Sequence, residues 1–311
     1  LDNIIMKNKH SNLFVIAGPT AVGKTSLSIN LAKQLNCSIL SADSRQFYKE
    51  ISIGTAKPSN EELKMVKHHF INNKSINQLY SAGEYEKDVL KHLEKHFKNT
   101  SNALLVGGSG MYINAVCDGL DELPRDLIIR NQLNKELLEF GIEKLQDQLK
   151  ILDPVHFKAI DHKNPQRLIR AIEVSKITNK PYSELLTKKP KPRPFKSIKI
   201  LLHTEKEILN KRIEKRVNEM VENGLFEEVE NLIDYQNYNA LKTVGYSEIF
   251  DFFNGITSKN EAITKIKNNT KKYAKRQMTW FKKDKNYIWV NNKNEKDALL
   301  KIEQIIREKS K

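Results

Sequence analysis

Gly18-Pro19-Thr20-Ala21-Val22-Gly23-Lys24-Thr25 is a complete phosphate-binding loop of the form GxxxxGKT. A strand-like apolar run at residues 13–17 leads into it, and residues 26–32 lead out at helical spacing. In that setting the glycines let the backbone curl until several N–H groups converge on one phosphate, with a helix N-terminus behind them. Lys24 adds a point charge, and the Thr25 hydroxyl is placed to ligate Mg²⁺. A phosphorylated ligand is expected on residues 18–25.

The 311 residues leave room for about two domains and a full hydrophobic core. Lys and Arg number 53 against 38 Asp and Glu, a formal charge of +15. Such an excess fits either a solvated lysine-rich surface or a polyanionic partner. The two cysteines, Cys37 and Cys117, are too few for a disulfide framework and lack CxxC spacing for zinc. They fit a reducing cytoplasm. No apolar run approaches the ~18 residues of a membrane span, and no charged-then-apolar leader opens the chain. The first residue is Leu1, which leaves an unusual start codon or a start at Met6 as alternatives. Residues 1–11 are expected to add nothing to the fold.

Strand and helix patterns alternate over the first hundred residues. A short β-like run at 37–41 ends in Ala42-Asp43-Ser44-Arg45-Gln46, and an apolar run at 103–106 enters Gly107-Gly108-Ser109-Gly110. This βαβ alternation implies an α/β core with a parallel sheet flanked by helices and ligands at the carboxyl ends of the strands. From Asp118 to about Pro194 strand patterns vanish, and helical spacing dominates at 127–140 and 166–176. That block closes in the basic, proline-rich stretch 188–194, which cannot be regular helix or central strand. Residues 197–202 read as one further strand, and helices are expected to fill the remainder. The predicted organisation is a P-loop NTPase-like core, residues 12–117 and 195–311, interrupted by a helical insertion at 118–194.

Asp43 falls at a strand's carboxyl end, the edge on which the phosphate loop opens. A carboxylate there can ligate Mg²⁺, act as a general base, or merely cap a turn. No Asp follows the 103–106 run, where many nucleotide hydrolases place one, which counts against an ATPase.

GPTAVGKT, SADSRQFY, IGTAKP, GGSGMY, NPQRLIRAIEV, KRIEKRVNEMVENGLFEEV, TVGYSEI and YAKRQMTWF occur in this order. As a set, the chain resembles bacterial tRNA dimethylallyltransferases from about residue 12 to 290. The resemblance implies transfer of a dimethylallyl group from its diphosphate to N6 of the adenosine just 3′ of the tRNA anticodon. The loop would then hold the leaving diphosphate, with Lys24 and a Thr25-bound Mg²⁺ neutralising its charge. The exocyclic amine is a poor nucleophile and needs a base; the resemblance gives that role to Asp43. Arg212 and Arg216, four apart on one helix face beside the stripe Ile208, Leu209, Ile213, Val217 and Met220, would reach the diphosphate, Arg212 first. Their alternative is ion pairing with neighbouring glutamates.

The resemblance also implies tRNA contacts at Asp43, Ser44, Arg45, Gln46, Ser109 and Arg130, at Gln166, Arg167, Leu168, Ile169 and Arg170, and in the carboxyl-terminal helices. Asn164-Pro165 makes a good helix start for the second group. In the third, nine cations between residues 265 and 285, among them Lys271, Lys272, Lys275 and Arg276, meet one acid, Asp284. Tyr273, Trp280 and Phe281 interleave them, suiting phosphate tracking with base stacking, or packing of the helix on the core. The insertion and this basic segment are expected to clamp the anticodon stem-loop from two sides. Lys242 stands where the family often has Arg; the lysine keeps the charge and loses the bidentate geometry. No cysteine follows Cys117, so the zinc finger of eukaryotic relatives is not expected. The expected enzyme is a monomer. Two other readings remain: a P-loop small-molecule kinase using ATP, with Asp43 activating a hydroxyl, and a nucleic-acid-binding nucleotide switch.

Overall fold

Every residue from Asn12 to Ala17 (β1) is buried, as a strand must be when helices cover both faces of its sheet. The computed structural model describes residues 11–187 and 189–310. After β1 come α1 (Lys24–Gln34), β2 (Ile39–Ser41), α2 (Asn60–Met65), β3 (His68–His69), α3 (Ala82–His96), β4 (Asn102–Gly107) and α4 (Gly110–Asp118). Four helices follow: α5 (Leu127–Leu152), α6 (Pro154–Ala159), α7 (Pro165–Thr178) and α8 (Tyr182–Leu185). The chain then runs through β5 (Lys196–His203), α9 (Lys206–Glu222), α10 (Leu225–Glu230), α11 (Tyr246–Phe253), α12 (Lys259–Phe281), β6 (Ile288–Asn291) and α13 (Glu295–Lys309). It divides into two compact units: Asp118–Lys191, and the remainder of the chain on either side.

In the larger unit six parallel strands lie in the order β3-β2-β4-β1-β5-β6. Alternation along β1 builds both faces. Leu13, Val15 and Ala17 pack with Leu40, Tyr85, Leu105 and Phe281, while Phe14 and Ile16 pack with Leu27, Leu31, Ile200 and Ile302. Helices α9 to α12 share a third cluster around Ile213, Val217, Leu225, Tyr246 and Ile266. The smaller unit has its own core of Leu133, Leu145, Leu149, Leu168, Ile169 and Ile172.

The structure corrects several expectations. β3 and β6 were not anticipated: two residues are too few for a pattern, and the four of β6 sit among charged residues that mask it. Helix α5 continues past residue 140 to Leu152, broken at Gly141, whose φ of 77° only glycine adopts readily. Ser11 does contribute, since its carbonyl accepts the Lys196 N–H at 2.8 Å; residues 1–10 lie outside the described residues. In the proline-rich stretch Lys188 also lies outside them, and 189–194 carry neither helix nor strand.

Candidate active site

Because the strands are parallel, their carboxyl ends share one edge, and the loops there meet. Gly23 caps α1 in the left-handed region (φ 94°, ψ 31°), and Ala21 before it also has positive φ (61°). That curl turns the amides around Lys24 toward one point. Lys24 Nζ folds onto the carbonyls of Gly18 and Pro19 at 3.0 and 2.8 Å. Its pKa is pulled down to about 8, chiefly by burial, which Asp43 opposes and the Arg216 charge reinforces. The cation is thus held poised, with Asp43 and Arg216 close enough to tune it.

Residues from the far end of the chain hold this loop. Gln277 on α12, buried, accepts the Thr20 N–H at 2.9 Å and donates to the Gly108 carbonyl at 3.0 Å. Asn292 donates to the Val22 carbonyl at 2.7 Å. The Arg212 guanidinium donates to the carbonyls of Val22, Asn292 and Lys293 at 3.0–3.2 Å, so it supports the loop from behind. Arg216 instead lines the cavity in front, with Nη1 on Thr20 Oγ1 at 3.3 Å and Nη2 on the Ala56 carbonyl at 3.4 Å. Arg216, and not Arg212, lines the cavity, whereas the expectation put Arg212 first. Helical spacing puts both on one face but says nothing about which end of that face meets the loop.

Asp43 follows β2. Its Oδ1 accepts the Arg45 N–H at 3.0 Å. Ser109, after β4, accepts the Ser44 N–H at 3.0 Å and donates to Ser44 Oγ at 3.2 Å. Those strand ends touch so closely that a Cβ on Gly107 would lie 2.2 Å from the Ala42 carbonyl oxygen. Tyr273 of α12 bonds Ser109 through its phenol, and burial, reinforced by Asp43, raises its pKa to about 12. Arg45 and Gln46 turn inward: Arg45 onto the carbonyls of Asn239, Ala240 and Lys242, Gln46 onto those of Thr55 and Ala56. Their work is to hold the loops around Asp43.

These groups open into one cavity of about 550 Å³. Its lining combines the polar Thr20, Asp43 and Arg216 with the apolar Val217, Met220, Val244 and Ile266. In the sequence Gln277 appears only inside the motif YAKRQMTWF, with no role of its own, because its uncharged amide stands amid nine cations. Met220 and Val217 were visible only as an apolar stripe.

Among residues expected on tRNA, Lys242, Lys272, Lys275 and Arg276 are exposed in the larger unit, and Gln166 and Arg167 in the smaller. Lys271 is engaged by Glu214 at 2.5 Å. Leu168 and Ile169 are buried in the smaller core and have no side-chain surface for RNA. Arg130 and Arg170 both grip the buried Glu173, at 2.5 and 3.0 Å. Arg170 also donates to the carbonyls of Leu123 and Pro124. Their first task is to brace the start of α5 against α7.

Among the described residues no three His, Cys, Asp or Glu side chains form a metal cluster. The loop instead offers a hydroxyl, Thr25, with Asp43 near its lysine. That hard-oxygen donor set fits a Mg²⁺ that keeps several waters and takes other ligands from a diphosphate.

Fold and cavity define a P-loop α/β protein that pairs an anion cradle with a carboxylate and an apolar recess. The IPP transferase family model matches residues 46–284, and the chain belongs to that family. It is 49% identical to a tRNA dimethylallyltransferase of Christiangramia forsetii, over 91% of this chain and 95% of that one. A solved tRNA isopentenylpyrophosphate transferase of Bacillus halodurans superposes with a TM-score of 0.71 at 34% identity, covering 96% of this chain and 97% of that one. A eukaryotic dimethylallyltransferase acting on tRNA shares the fold at a TM-score of 0.77 and 24% identity, covering 95% and 78% of the two chains.

Proposed function

We propose that the chain transfers a dimethylallyl group from dimethylallyl diphosphate to N6 of the adenosine immediately 3′ of a tRNA anticodon. The observation that carries this reading is one cavity lined both by Asp43, Arg216 and Thr20 and by the apolar Val217, Met220, Val244 and Ile266. An N6–C1 bond forms and the C1–O bond breaks. The electron pair departs with the diphosphate, and the N6 proton passes to Asp43. The loop amides, Lys24 and Arg216 stabilise the leaving charge. Thr25 would hold a Mg²⁺, which supplies further charge neutralisation on the diphosphate. Gln277 and Arg212 keep the cradle in register with Asp43.

The target base must leave its stack, so the protein has to grip loop backbone. The exposed Lys242, Lys272, Lys275 and Arg276 suit that role in the larger unit, and Gln166 and Arg167 at the start of α7 in the smaller. Incubation with labelled dimethylallyl diphosphate and unmodified tRNA, beside ATP controls, tests the reading. Label is expected in tRNA only from the prenyl donor. ATP-dependent labelling of a small acceptor would overturn it.

A further inference from the structure

The reaction cavity has a neighbour. A second cavity of about 660 Å³ lies beyond it, and the two share Ala56, Arg216 and Met220 in their linings. These three side chains are the wall between them.

Most of that wall is fixed. The Ala56 carbonyl accepts from Gln46 and Arg216 at 3.1 and 3.4 Å, and Ala56 itself sits at φ 46°. Its loop is clamped by the Glu228 carboxylate, which accepts the N–H groups of Ser52, Ile53 and Gly54 at 2.8, 2.8 and 3.1 Å. Glu228 also takes the Tyr246 phenol at 2.5 Å. Gly54 cannot even carry a Cβ, which would stand 2.5 Å from the Tyr246 ring. Arg216 is pinned between Thr20 and Ala56.

Met220 is different. It is a half-buried, unbranched side chain held only by packing, and methionine adapts readily to what lies against it. It stands one turn beyond Arg216 on α9, about 6 Å along the helix axis. Arg216, Val217 and Met220 line the same cavity, so a five-carbon tail on a diphosphate held at Arg216 would have Val217 and Met220 within its reach. Behind Met220 the second cavity offers Ile53, Pro58 and Leu63.

We propose that Met220 sets donor length, closing the reaction cavity after one five-carbon unit and barring the second cavity to longer prenyl chains. The inference rests on reading the cavity as the site of a prenyl diphosphate. A hydrophobic wall discriminates by roughly 10–200-fold per methylene-sized difference, so one side chain suffices to separate five carbons from ten.

The test is competition between dimethylallyl and geranyl diphosphate for unmodified tRNA, read by mass spectrometry of the digested nucleosides. For Met220→Ala the ten-carbon to five-carbon product ratio is expected to rise about tenfold or more over the wild type. Met220→Val, a smaller change, is expected to raise it less and serves if the alanine variant does not fold. Met220→Phe is expected to lower five-carbon transfer while inorganic pyrophosphate still inhibits. A folded Met220→Ala or Met220→Val that keeps the wild-type ratio overturns the proposal. Failure of the wild type to use dimethylallyl diphosphate at all would instead overturn the functional reading.

Discussion

Asp43 and Arg216 share a cavity, yet they should fail in different ways. Asp43→Asn keeps the shape and loses the proton acceptor, so single-turnover transfer is expected to fall about 10²-fold or more with tRNA affinity nearly intact. Near-normal transfer by a folded variant would remove Asp43 from the chemistry. Arg216→Ala should cost roughly 2–4 kcal/mol of transition-state stabilisation, the usual loss for one preorganised donor to a developing anion. Arg212→Ala should act chiefly through a loosened loop, lowering the melting temperature as well as kcat/KM; equal thermal stability in both variants would contradict the geometry. Lys24 adds a pH signature. With its free-state pKa near 8, the cation is lost as pH rises through 8, while a bound diphosphate favours the charged form. Pyrophosphate binding should therefore take up protons around pH 8 and weaken above it, which calorimetry in buffers of different ionisation enthalpy measures. GxxxxGKT and the place of Asp43 were legible in the sequence because backbone geometry and strand order dictate them. The roles of Arg212, Gln277 and Glu228 were not, because each depends on what a distant segment brings to its side chain. Leu168 and Ile169 carried the opposite lesson: apolar spacing marks them as core, and resemblance alone placed them on tRNA.

Among elements, α12 joins the two substrates' territories. Tyr273 lines the cavity and Gln277 holds the phosphate loop, while Lys272, Lys275 and Arg276 are exposed, Arg276 at the cavity's edge. Neutralising those three to glutamine should flatten the slope of log K against log salt for tRNA binding by about two to three units. Lys271→Gln should change it less, because Glu214 already engages that ammonium. A salt series on both variants decides whether this face tracks phosphates; an unchanged slope in the triple variant would make it a solvated surface. The helix itself was easy to read, its start fixed by a capping box of Ser258 and Glu261. β6 was not, since a four-residue strand at a sheet edge owes its existence to β5 beside it.

At the scale of the whole molecule, each unit has its own brace between segments distant in sequence. Glu173 gathers the Asp126 N–H, Arg130 and Arg170 in the smaller one. Glu173→Gln should destabilise it by about 2–3 kcal/mol, below the cost of breaking a wholly buried pair because both guanidiniums keep some solvent. Faster amide exchange confined to residues 118–191 would report it; exchange unchanged there would show that Glu173 braces nothing. In the larger unit the phosphate loop is held by groups near the other end of the chain: Thr20 by Gln277, Val22 by Asn292, and Ser26 by Glu295, 269 residues away. A ribosome adding about 5–20 residues per second exposes GxxxxGKT long before those supports exist. The nascent chain thus carries the whole motif before these supports are made, and a product cut short by a premature stop codon ahead of Gln277 would lack all three permanently. Prenylation activity is in this sense a receipt for translation completed nearly to the last helix.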